Sequence, residues 1–347
     1  MTDQGYLRIA TEEAFAPPEL ITRWRSMLAD GSSGDPGFDS LWGFYMGDSP
    51  RARQIVERLE DLGERRIADM DATGIDRQII ALTSPGTQIF DAAEGTAIAA
   101  AANDVLADAC RRHPDRFTGL TAIAPQDPER AAEEIERGVN RLGFRGVIIN
   151  SHTRGEYLDD KKFWPVLEAA EALDTPIYLH PNTPSPRMIE PMLEAGLDGA
   201  VFGFAVETGL HLLRMITSGV FDRFPRLRVV VGHLGEALPF WSYRIDFMHT
   251  ASLRSGRFPH LSALELAPGE YLRRNIWVTT SGMAWEPAIL FTRQVLGDDR
   301  VLYAMDYPYQ SAPTEVSVHD RLPIDAAALR ALYQTNAEKV FGLPPSS

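Results

Sequence analysis

Short apolar runs alternate along the chain with longer segments of helical periodicity. The apolar runs predict strands at Leu7–Thr11, Gln78–Thr83, Phe117–Ile123, Gly146–Asn150, Pro176–His180, Leu227–His233, Ile276–Thr280 and Val301–Asp306. The helical pattern covers Arg51–Met70, Ala92–Arg112, Pro128–Leu142, Phe163–Ala172, Ala205–Ser218, Glu286–Leu296 and Asp325–Val340. Near-continuous Val, Ile and Leu runs are typical of a parallel sheet that is covered on both faces. Eight β/α units in one chain predict an α/β fold of the closed (β/α)8 TIM barrel type.

One long segment interrupts this rhythm directly after the first strand. Residues 16–50 include GSSGDPGFDSLWGFYMGDSP, and loops of this length are usually lids or disordered. The aromatic residues Trp42, Phe44 and Tyr45 favour a lid or an intersubunit contact. A second irregular stretch covers His249–Glu270, and no linker divides the chain. We therefore predict a single domain, residues 1–347, in which 16–50 is a long inserted loop that acts as a lid or an interface.

Composition narrows the range of partners. The chain of 347 residues has 48 acidic and 34 basic residues and a net charge of −14, so nucleic acid and anionic membranes are poor partners. Cys110 is the single cysteine, which excludes an intrachain disulfide and a multi-cysteine metal site. The N-terminal sequence lacks the pattern of a signal peptide, and no apolar run approaches the roughly 18 residues of a membrane span. We expect a cytoplasmic protein.

Polar residues stand at the ends of several predicted strands, where barrels of this class carry their active sites. Glu12 and Glu13 follow the first strand, while His180, His233 and Asp306 end the fifth, sixth and eighth. Each has a plain alternative, because a histidine there often only makes hydrogen bonds and an aspartate often caps a helix. Together, two imidazoles and several carboxylates at one mouth favour a first-row metal site with an acid or base beside it.

Four short motifs at the same positions carry a family resemblance. They are TEEAF at Thr11–Phe15, LHPNTP at Leu179–Pro184, GHLGEALPFW at Gly232–Trp241 and MDYPY at Met305–Tyr309. The closing NAEKVFGL, Asn336–Leu343, also matches. The chain resembles the amidohydrolase-type nonoxidative aromatic acid decarboxylases, a group that includes the γ-resorcylate and 2,3-dihydroxybenzoate decarboxylases. The resemblance extends over the whole chain, from Glu12 to Leu343.

This resemblance implies a metal site and a catalytic pair. One divalent ion, Mn²⁺ first and Zn²⁺ or Mg²⁺ as alternatives, would be held by Glu12, His180 and Asp306, with no organic cofactor. Asp306 would also be a catalytic residue, together with His233 and Glu236, because Glu236 would orient the imidazole of His233 by a hydrogen bond. A plain alternative for Glu236 is an acidic residue that is favoured at a helix N-terminus.

The resemblance also assigns residues that bind substrate. Arg51 and Arg244 would hold a carboxylate through their planar guanidinium groups, and Arg244 would act within its own chain or across a dimer interface. Without the resemblance, both would be solvated surface arginines. Tyr309 would donate a hydrogen bond to the substrate. Candidates for an aromatic pocket wall are Trp42, Phe44 and Phe204.

The expected reaction is the removal of the carboxylate of an ortho-hydroxy aromatic acid. The resemblance favours 5-carboxyvanillate, converted to vanillate and carbon dioxide in the catabolism of lignin-derived aromatics by a homodimer or homotetramer. The alternative is a metal-dependent hydrolase of the same fold, acting on a lactone or a carbon–carbon bond. Such hydrolases carry His-x-His after the first strand, whereas this chain has Glu12 and Ala14 there. A barrel that only binds aromatic acids is a third reading, disfavoured because buried polar clusters are costly to keep.

Overall fold

A ring of parallel strands forms the centre of the computed structural model, which describes residues 5–344. Each strand pairs with its neighbour in parallel, in the orders β1-β2-β3 and β4 to β9. The strands are β1 Ile9–Phe15, β2 Arg77–Leu82, β3 Phe117–Gly119, β4 Thr121–Ala122, β5 Val147–Asn150, β6 Ile177–His180, β7 Val229–Val231, β8 Ile276–Thr279 and β9 Val301–Leu302. Every predicted strand is therefore present, although the ends differ by several residues.

Two junctions close the ring into a barrel. The predicted strand Phe117–Ile123 is divided at Leu120, so its first half pairs with β2 and its second half with β5. The amide of Leu120 donates to the carbonyl of Ile80 at 2.9 Å, which keeps the two halves continuous. On the other side, the amide of Thr11 in β1 donates to the carbonyl of Tyr303, just past β9, at 3.1 Å. The predicted barrel is confirmed.

Helices of varied length separate the strands. They are α1 Pro18–Asp30, α2 Pro36–Tyr45, α3 Pro50–Glu60, α4 Glu64–Thr73, α5 Ala92–Arg112, α6 Pro128–Arg137, α7 Trp164–Ala172, α8 Glu190–Ala195, α9 Gly203–Thr217, α10 Val220–Arg223, α11 His233–Glu236, α12 Leu238–Ser255, α13 Pro268–Arg274, α14 Glu286–Leu296, α15 Pro313–Asp320, α16 Ala326–Arg330 and α17 Asn336–Val340. The predicted helix Arg51–Met70 is two helices, α3 and α4, because Asp61 accepts the amides of Gly63 and Arg66 and ends the first.

The prediction of a long inserted loop at 16–50 is wrong, because most of this segment forms α1 and α2. Pro18 and Pro36 stand at the first helical positions of α1 and α2, where the missing N–H costs nothing, and Asp35 caps α2 by accepting the amides of Gly37 and Phe38. Trp42 is fully buried with its ring centroid 4.3 Å from that of Trp24. The segment is a packed helical layer, and its role as a lid or an interface stays a prediction.

The second irregular stretch is also shorter than predicted. α12 continues to Ser255 and α13 begins at Pro268, so only residues 256–267 lack regular structure. The prediction of one domain over 1–347 stays a prediction, and residues 1–4 and 345–347 lie outside the described part. Within residues 5–344, no helix has the length and apolar content needed to cross a membrane.

The burial of Trp42 gives a direct test of this helical layer. Trp42→Ala should lower the free energy of unfolding by about 3–5 kcal/mol, as the loss of a buried tryptophan side chain usually does. Phe44 is the matched control, since it lies two residues away and is 53% exposed; Phe44→Ala should change stability by less than about 0.5 kcal/mol. Urea unfolding followed by circular dichroism measures both, and equal small effects would contradict the packing described here.

Candidate active site

The candidate residues meet at the carboxyl end of the barrel, but only His180 ends its strand as predicted. Glu12 and Glu13 lie inside β1, which continues to Phe15 because both carboxylates are buried by contacts from other strands. His233 and Asp306 lie two and four residues beyond the ends of β7 and β9. Both have positive φ, 52° and 70°, which a strand does not accommodate.

The two carboxylate oxygens of Glu12 differ in their hydrogen bonding. Oε2 accepts hydrogen bonds from the hydroxyls of Tyr178, Thr279 and Ser281, with Thr279 at 2.7 Å. Oε1 is buried and has no hydrogen-bond partner among the described residues. Gly232 lies against this carboxylate, since a Cβ there would come within 2.8 Å of both oxygens. The side chain is therefore fixed with one free oxygen directed into the site.

Two imidazoles face that free oxygen. Nε2 of His180 lies 3.5 Å and Nε2 of His233 lies 3.8 Å from Glu12 Oε1. Nδ1 of His180 is 2.8 Å from the carbonyl of Pro181, so Nδ1 donates and Nε2 presents its lone pair to the site. Nδ1 of His233 is 2.9 Å from Glu236 Oε1, which is the contact expected for an orienting carboxylate.

His233 and Glu236 stand on an unusual piece of backbone. Residues 233–237, which include α11, all have φ between 52° and 79°, the left-handed region. Non-glycine residues in this region cost roughly 1–2 kcal/mol each, and only Gly235 escapes that cost. The alternative reading of Glu236, a residue favoured by a helix N-terminus, does not describe it, because it closes this left-handed turn. Such strain is concentrated at functional sites.

The charges of the cluster are strongly coupled. Burial raises the pKa of Asp306 well above its usual range, and the carboxylate of Glu12 raises it further. Burial opposes the protonation of His233, but Glu236 and Glu12 outweigh it and raise the pKa of His233 to about 10. Burial also opposes the ionisation of Glu12, yet His233 and His180 lower its pKa. Several carboxylates are thus buried close together, with little positive charge nearby to balance them.

Whether these donors suit a metal ion can be tested on their arrangement. Within residues 5–344, no three His, Cys, Asp or Glu side chains already form a complete metal site. However, Glu12, His180 and Asp306 all line one cavity of about 10 Å³, which Glu13 also borders, and Glu12 Oε1 has no hydrogen-bond partner there. Ligands about 2.1 Å from an ion are about 3–4 Å apart, which matches the separation of 3.5 Å between Glu12 and His180. Two carboxylates and one imidazole fit a divalent ion such as Mn²⁺.

A second cavity, of about 190 Å³, opens above this cluster. Its wall consists of Leu41, Tyr45, Arg51, Thr83, Ser84, His180, Ala200, Phe204, His233, Asp306, Tyr309 and Gln310. The predicted substrate residues Arg51, Phe204 and Tyr309 are among them, and Nη2 of Arg51 lies 3.3 Å from the carbonyl of Tyr309. Arg244 is not, because it is exposed on α12. The predicted wall residues Trp42 and Phe44 are also absent from it, one being in the core and the other exposed.

Several site residues escaped the sequence analysis. Tyr178 precedes His180 by two positions on β6 and so points to the same side, a signal that the alternation of strand residues carries. Thr279 and Ser281 have the same spacing at the end of β8. Tyr45 stands one helical turn after Leu41, and its ring centroid is 5.5 Å from that of Tyr309. The sequence analysis names Tyr45 only as an aromatic residue of the segment 16–50, because the prediction of a loop there hides the helical period of α2.

Comparison with known proteins gives the family. The amidohydrolase family model matches residues 41–343, so the chain belongs to the amidohydrolase family. A γ-resorcylate decarboxylase from Polaromonas sp. is 33% identical over 97% of this chain and 98% of its own.

Solved structures narrow the similarity to decarboxylases within this family. A 5-carboxyvanillate decarboxylase from Novosphingobium aromaticivorans, complexed with manganese and 4-hydroxy-3-methoxy-5-nitrobenzoic acid, is 57% identical with a TM-score of 0.97 over 99% of this chain and 98% of that one. A 5-carboxyvanillate decarboxylase from Sphingomonas paucimobilis is 40% identical with a TM-score of 0.92, over 98% of this chain and 100% of that one. The predicted resemblance is confirmed.

Proposed function

We propose that this chain is a metal-dependent, nonoxidative decarboxylase that converts 5-carboxyvanillate to vanillate and carbon dioxide. The observation that carries the proposal is the buried Oε1 of Glu12, which faces two imidazoles and accepts no hydrogen bond among the described residues. The similarity to manganese-bound 5-carboxyvanillate decarboxylases supports the metal and the substrate. No observation favours the hydrolase, since Ala14 occupies the position where such enzymes carry their second histidine.

Glu12, His180 and Asp306 would hold the ion, with Mn²⁺ first and Zn²⁺ or Mg²⁺ as alternatives. When bound, a divalent ion supplies Lewis acidity and a fixed orientation for the phenol and its neighbouring carboxylate. Oε2 of Glu12 accepts hydrogen bonds from three hydroxyls, so its free Oε1 would be the donor toward the ion. The three donors come from β1, β6 and the segment after β9, which the barrel holds rigidly.

The cavity of about 190 Å³ suits one substituted benzene ring. Arg51 at its rim would hold a substrate carboxylate by charge-assisted hydrogen bonds. The hydroxyl of Tyr309 lies 2.6 Å from Oγ1 of Thr83, so it is oriented before substrate arrives. Phe204 would pack against the ring. These residues bind and align the aromatic acid with its ortho carboxylate toward Asp306.

Asp306 would deliver the proton that replaces the departing carboxylate. Burial and the charge of Glu12 favour its protonated form. The proton moves to the ring carbon that bears the carboxylate, the carbon–carbon bond breaks, its electron pair restores the aromatic ring, and carbon dioxide leaves. His233, whose Nε2 is 4.0 Å from Asp306 Oδ2, would return a proton to the carboxylate while Glu236 keeps the imidazole in place. The groups titrate together rather than singly.

An apolar face on α12 supports the assembly of a homodimer or homotetramer, and we propose the cytoplasm as its location. Phe240, Tyr243 and Phe247 are 73%, 82% and 60% exposed, and patches of large apolar side chains mark protein interfaces. Arg244 lies within this patch. A neighbouring subunit seated here would receive Arg244 near its own cavity, where it would act as a second arginine for the substrate. The product class agrees with a role in the catabolism of lignin-derived aromatics.

The metal assignment predicts the behaviour of two ligand variants. Glu12→Gln and His180→Ala should each lower the affinity for Mn²⁺ by about ten-fold or more, since even changes beyond the ligand shell cost 10- to 100-fold. His260→Ala, on an exposed histidine, is the control and should bind Mn²⁺ as the wild type does. Isothermal titration calorimetry with the metal-stripped protein measures the three. Full Mn²⁺ occupancy in both ligand variants would remove these residues from the site.

The arginine assignment predicts both a loss and a rescue. Arg51→Ala and Arg244→Ala should each weaken substrate binding by roughly 10- to 150-fold, the value of about 1.5–3 kcal/mol for a charged hydrogen bond. Arg51→Lys should restore only part, because the bidentate fork is missing. Co-expression of the two alanine variants should restore about a quarter of wild-type activity in a dimer, because one site of each hybrid keeps both arginines. Absence of any rescue would place Arg244 outside the neighbour's site.

Asp306→Asn separates metal binding from proton delivery. Asparagine keeps one coordinating oxygen but has no acidic proton, so kcat at saturating Mn²⁺ should fall by about 10²–10⁴-fold. His233→Asn should be impaired less if His233 only relays the proton. Wild-type enzyme in D₂O should place one deuterium on the former carboxylate carbon of vanillate, as mass spectrometry would show. A metal-saturated Asp306→Asn enzyme with the wild-type rate would transfer the acid role to His233 or to water.

A further inference from the structure

One buried carboxylate, that of Glu13, holds the backbone on both sides of Asp306. Oε1 of Glu13 accepts the amide of Met305 at 2.9 Å, and Oε2 accepts the amide of Tyr307 at 3.2 Å. Glu13 is fully buried and is absent from the wall of the cavity of about 190 Å³, although it borders the cavity of about 10 Å³ beside Glu12. Asp306, between the two amides, has a φ of 70°, which is the strained left-handed region for an aspartate. The fork of Glu13 therefore spans the strained residue.

The pairing of β1 with the chain after β9 explains why this fork is needed. The amides of Thr11 and Ala14 donate to the carbonyls of Tyr303 and Tyr307 at 3.1 and 2.7 Å. Between these two bonds the backbone departs from strand geometry. The amides on either side of Asp306 therefore find no backbone carbonyl of β1 to accept their hydrogen bonds. A buried N–H without an acceptor costs about 1–3 kcal/mol. Glu13 replaces the missing ladder bonds with its side chain.

Glu13 is itself fixed from behind. Nε2 of Gln78 donates to Glu13 Oε2 at 3.2 Å, and Oε1 of Gln78 accepts from Nη1 of Arg66 at 3.2 Å. Arg66 is fully buried, donates to the carbonyl of Ala14 at 2.5 Å, and lies 4.6 Å from the ring centroid of Tyr307. The guanidinium thus reaches the Asp306 loop twice, through the Gln78–Glu13 chain and through the ring of Tyr307.

The side chain of Asp306 has no such support of its own. Among residues 5–344, no hydrogen bond to its carboxylate is present, and its ion-pair distance to His233 is 4.0 Å. We propose that Glu13 is a positioning residue, backed by Gln78 and Arg66, which sets where the carboxyl group of Asp306 stands. The proposal rests on the proposed function only for the role given to Asp306. Glu13 acts through the backbone, because its two carboxylate oxygens already accept the amides of Met305 and Tyr307.

Glu13→Gln tests this directly, because a carboxamide has one acceptor oxygen and its NH₂ would face the second amide. We expect kcat at saturating Mn²⁺ to fall by about 10- to 100-fold and Mn²⁺ affinity to fall by about ten-fold, the range for residues that orient metal-site groups. The KM for 5-carboxyvanillate should change less than kcat, since Arg51 keeps its place. Steady-state kinetics and calorimetry give the three quantities.

Glu207→Gln is the matched control. Glu207 is also fully buried and accepts a backbone amide, that of Ser185 at 2.9 Å, but it does not contact the Asp306 loop. We expect a similar drop in Tm in both variants, with kcat and Mn²⁺ affinity unchanged in Glu207→Gln alone. Equal losses of kcat and Mn²⁺ affinity in the two variants would show a general effect of destabilisation and would overturn the proposal.

A folded Glu13→Gln protein with wild-type kcat and Mn²⁺ affinity would likewise overturn it. If that variant does not fold, Gln78→Met decides, since it breaks the link to Arg66 and keeps Glu13. Lower kcat and weaker Mn²⁺ binding in Gln78→Met support the proposal, and wild-type values refute it. Mn²⁺ binding needs no turnover, so a wild type that decarboxylates nothing would refute the proposed function while the affinities still report on Glu13.

Discussion

The site is organised by the buried carboxylate of Glu12, in which one oxygen accepts three hydrogen bonds and the other accepts none. Three hydroxyls donate to Oε2 of Glu12, while Oε1 has no hydrogen-bond partner in the described chain. A buried charge without compensation is costly, so the free oxygen needs a cation or a protonated group beside it. The histidines meet part of that need, because His180 and His233 lower the pKa of Glu12. The remaining deficit is what makes this end of the barrel suitable for a divalent ion.

Two strained backbone segments lie beside the carboxylate of Glu12. One is held by Glu12 and the other by the adjacent residue, Glu13. Ser281 donates to Glu12 and also accepts the amide of His233 at 3.2 Å, so it ties the left-handed turn 233–237 to the carboxylate. Glu13 holds the other strained residue, Asp306, by the amides beside it. Adjacent residues of β1 thus control opposite parts of the site, since their side chains point to different faces. Rigid placement of this kind is what preorganised catalysis requires.

The barrel and the candidate residues at the ends of its strands could be predicted from the sequence, because both depend on local sequence patterns. Apolar runs predicted every strand, and the helical pattern located α5 at Ala92–Arg112 without error. The strand-end rule predicted Glu12, His180, His233 and Asp306 as site residues, and the structure brings these four side chains together. It could not show that β1 continues through Glu12, since only contacts with other strands make a carboxylate acceptable inside a barrel.

The predictions that were wrong or incomplete also concern features that depend on contacts between residues distant in sequence. Proline and glycine in 16–50 suggested a loop, although a proline at the first helical position starts a helix as readily as it breaks one. Arg66 looked like any arginine on an amphipathic helix, and nothing local indicates that it is buried beneath Tyr307. In the proposed assembly, the position of Arg244 relative to a substrate site would be set by contacts between subunits at the exposed face of α12, which the sequence of one chain does not encode as a local pattern.

The exposure of Arg51 has a consequence for how an anionic substrate arrives. The whole protein carries a net charge of −14, so an anionic aromatic acid approaches against a repulsive long-range field. Arg51 stands at the rim of the cavity, where it offers attraction only at short range. Salt screens the distant repulsion, over about 8–10 Å, more fully than the close contact with Arg51. Encounter with this enzyme is therefore helped by the ionic strength that slows most electrostatically steered associations.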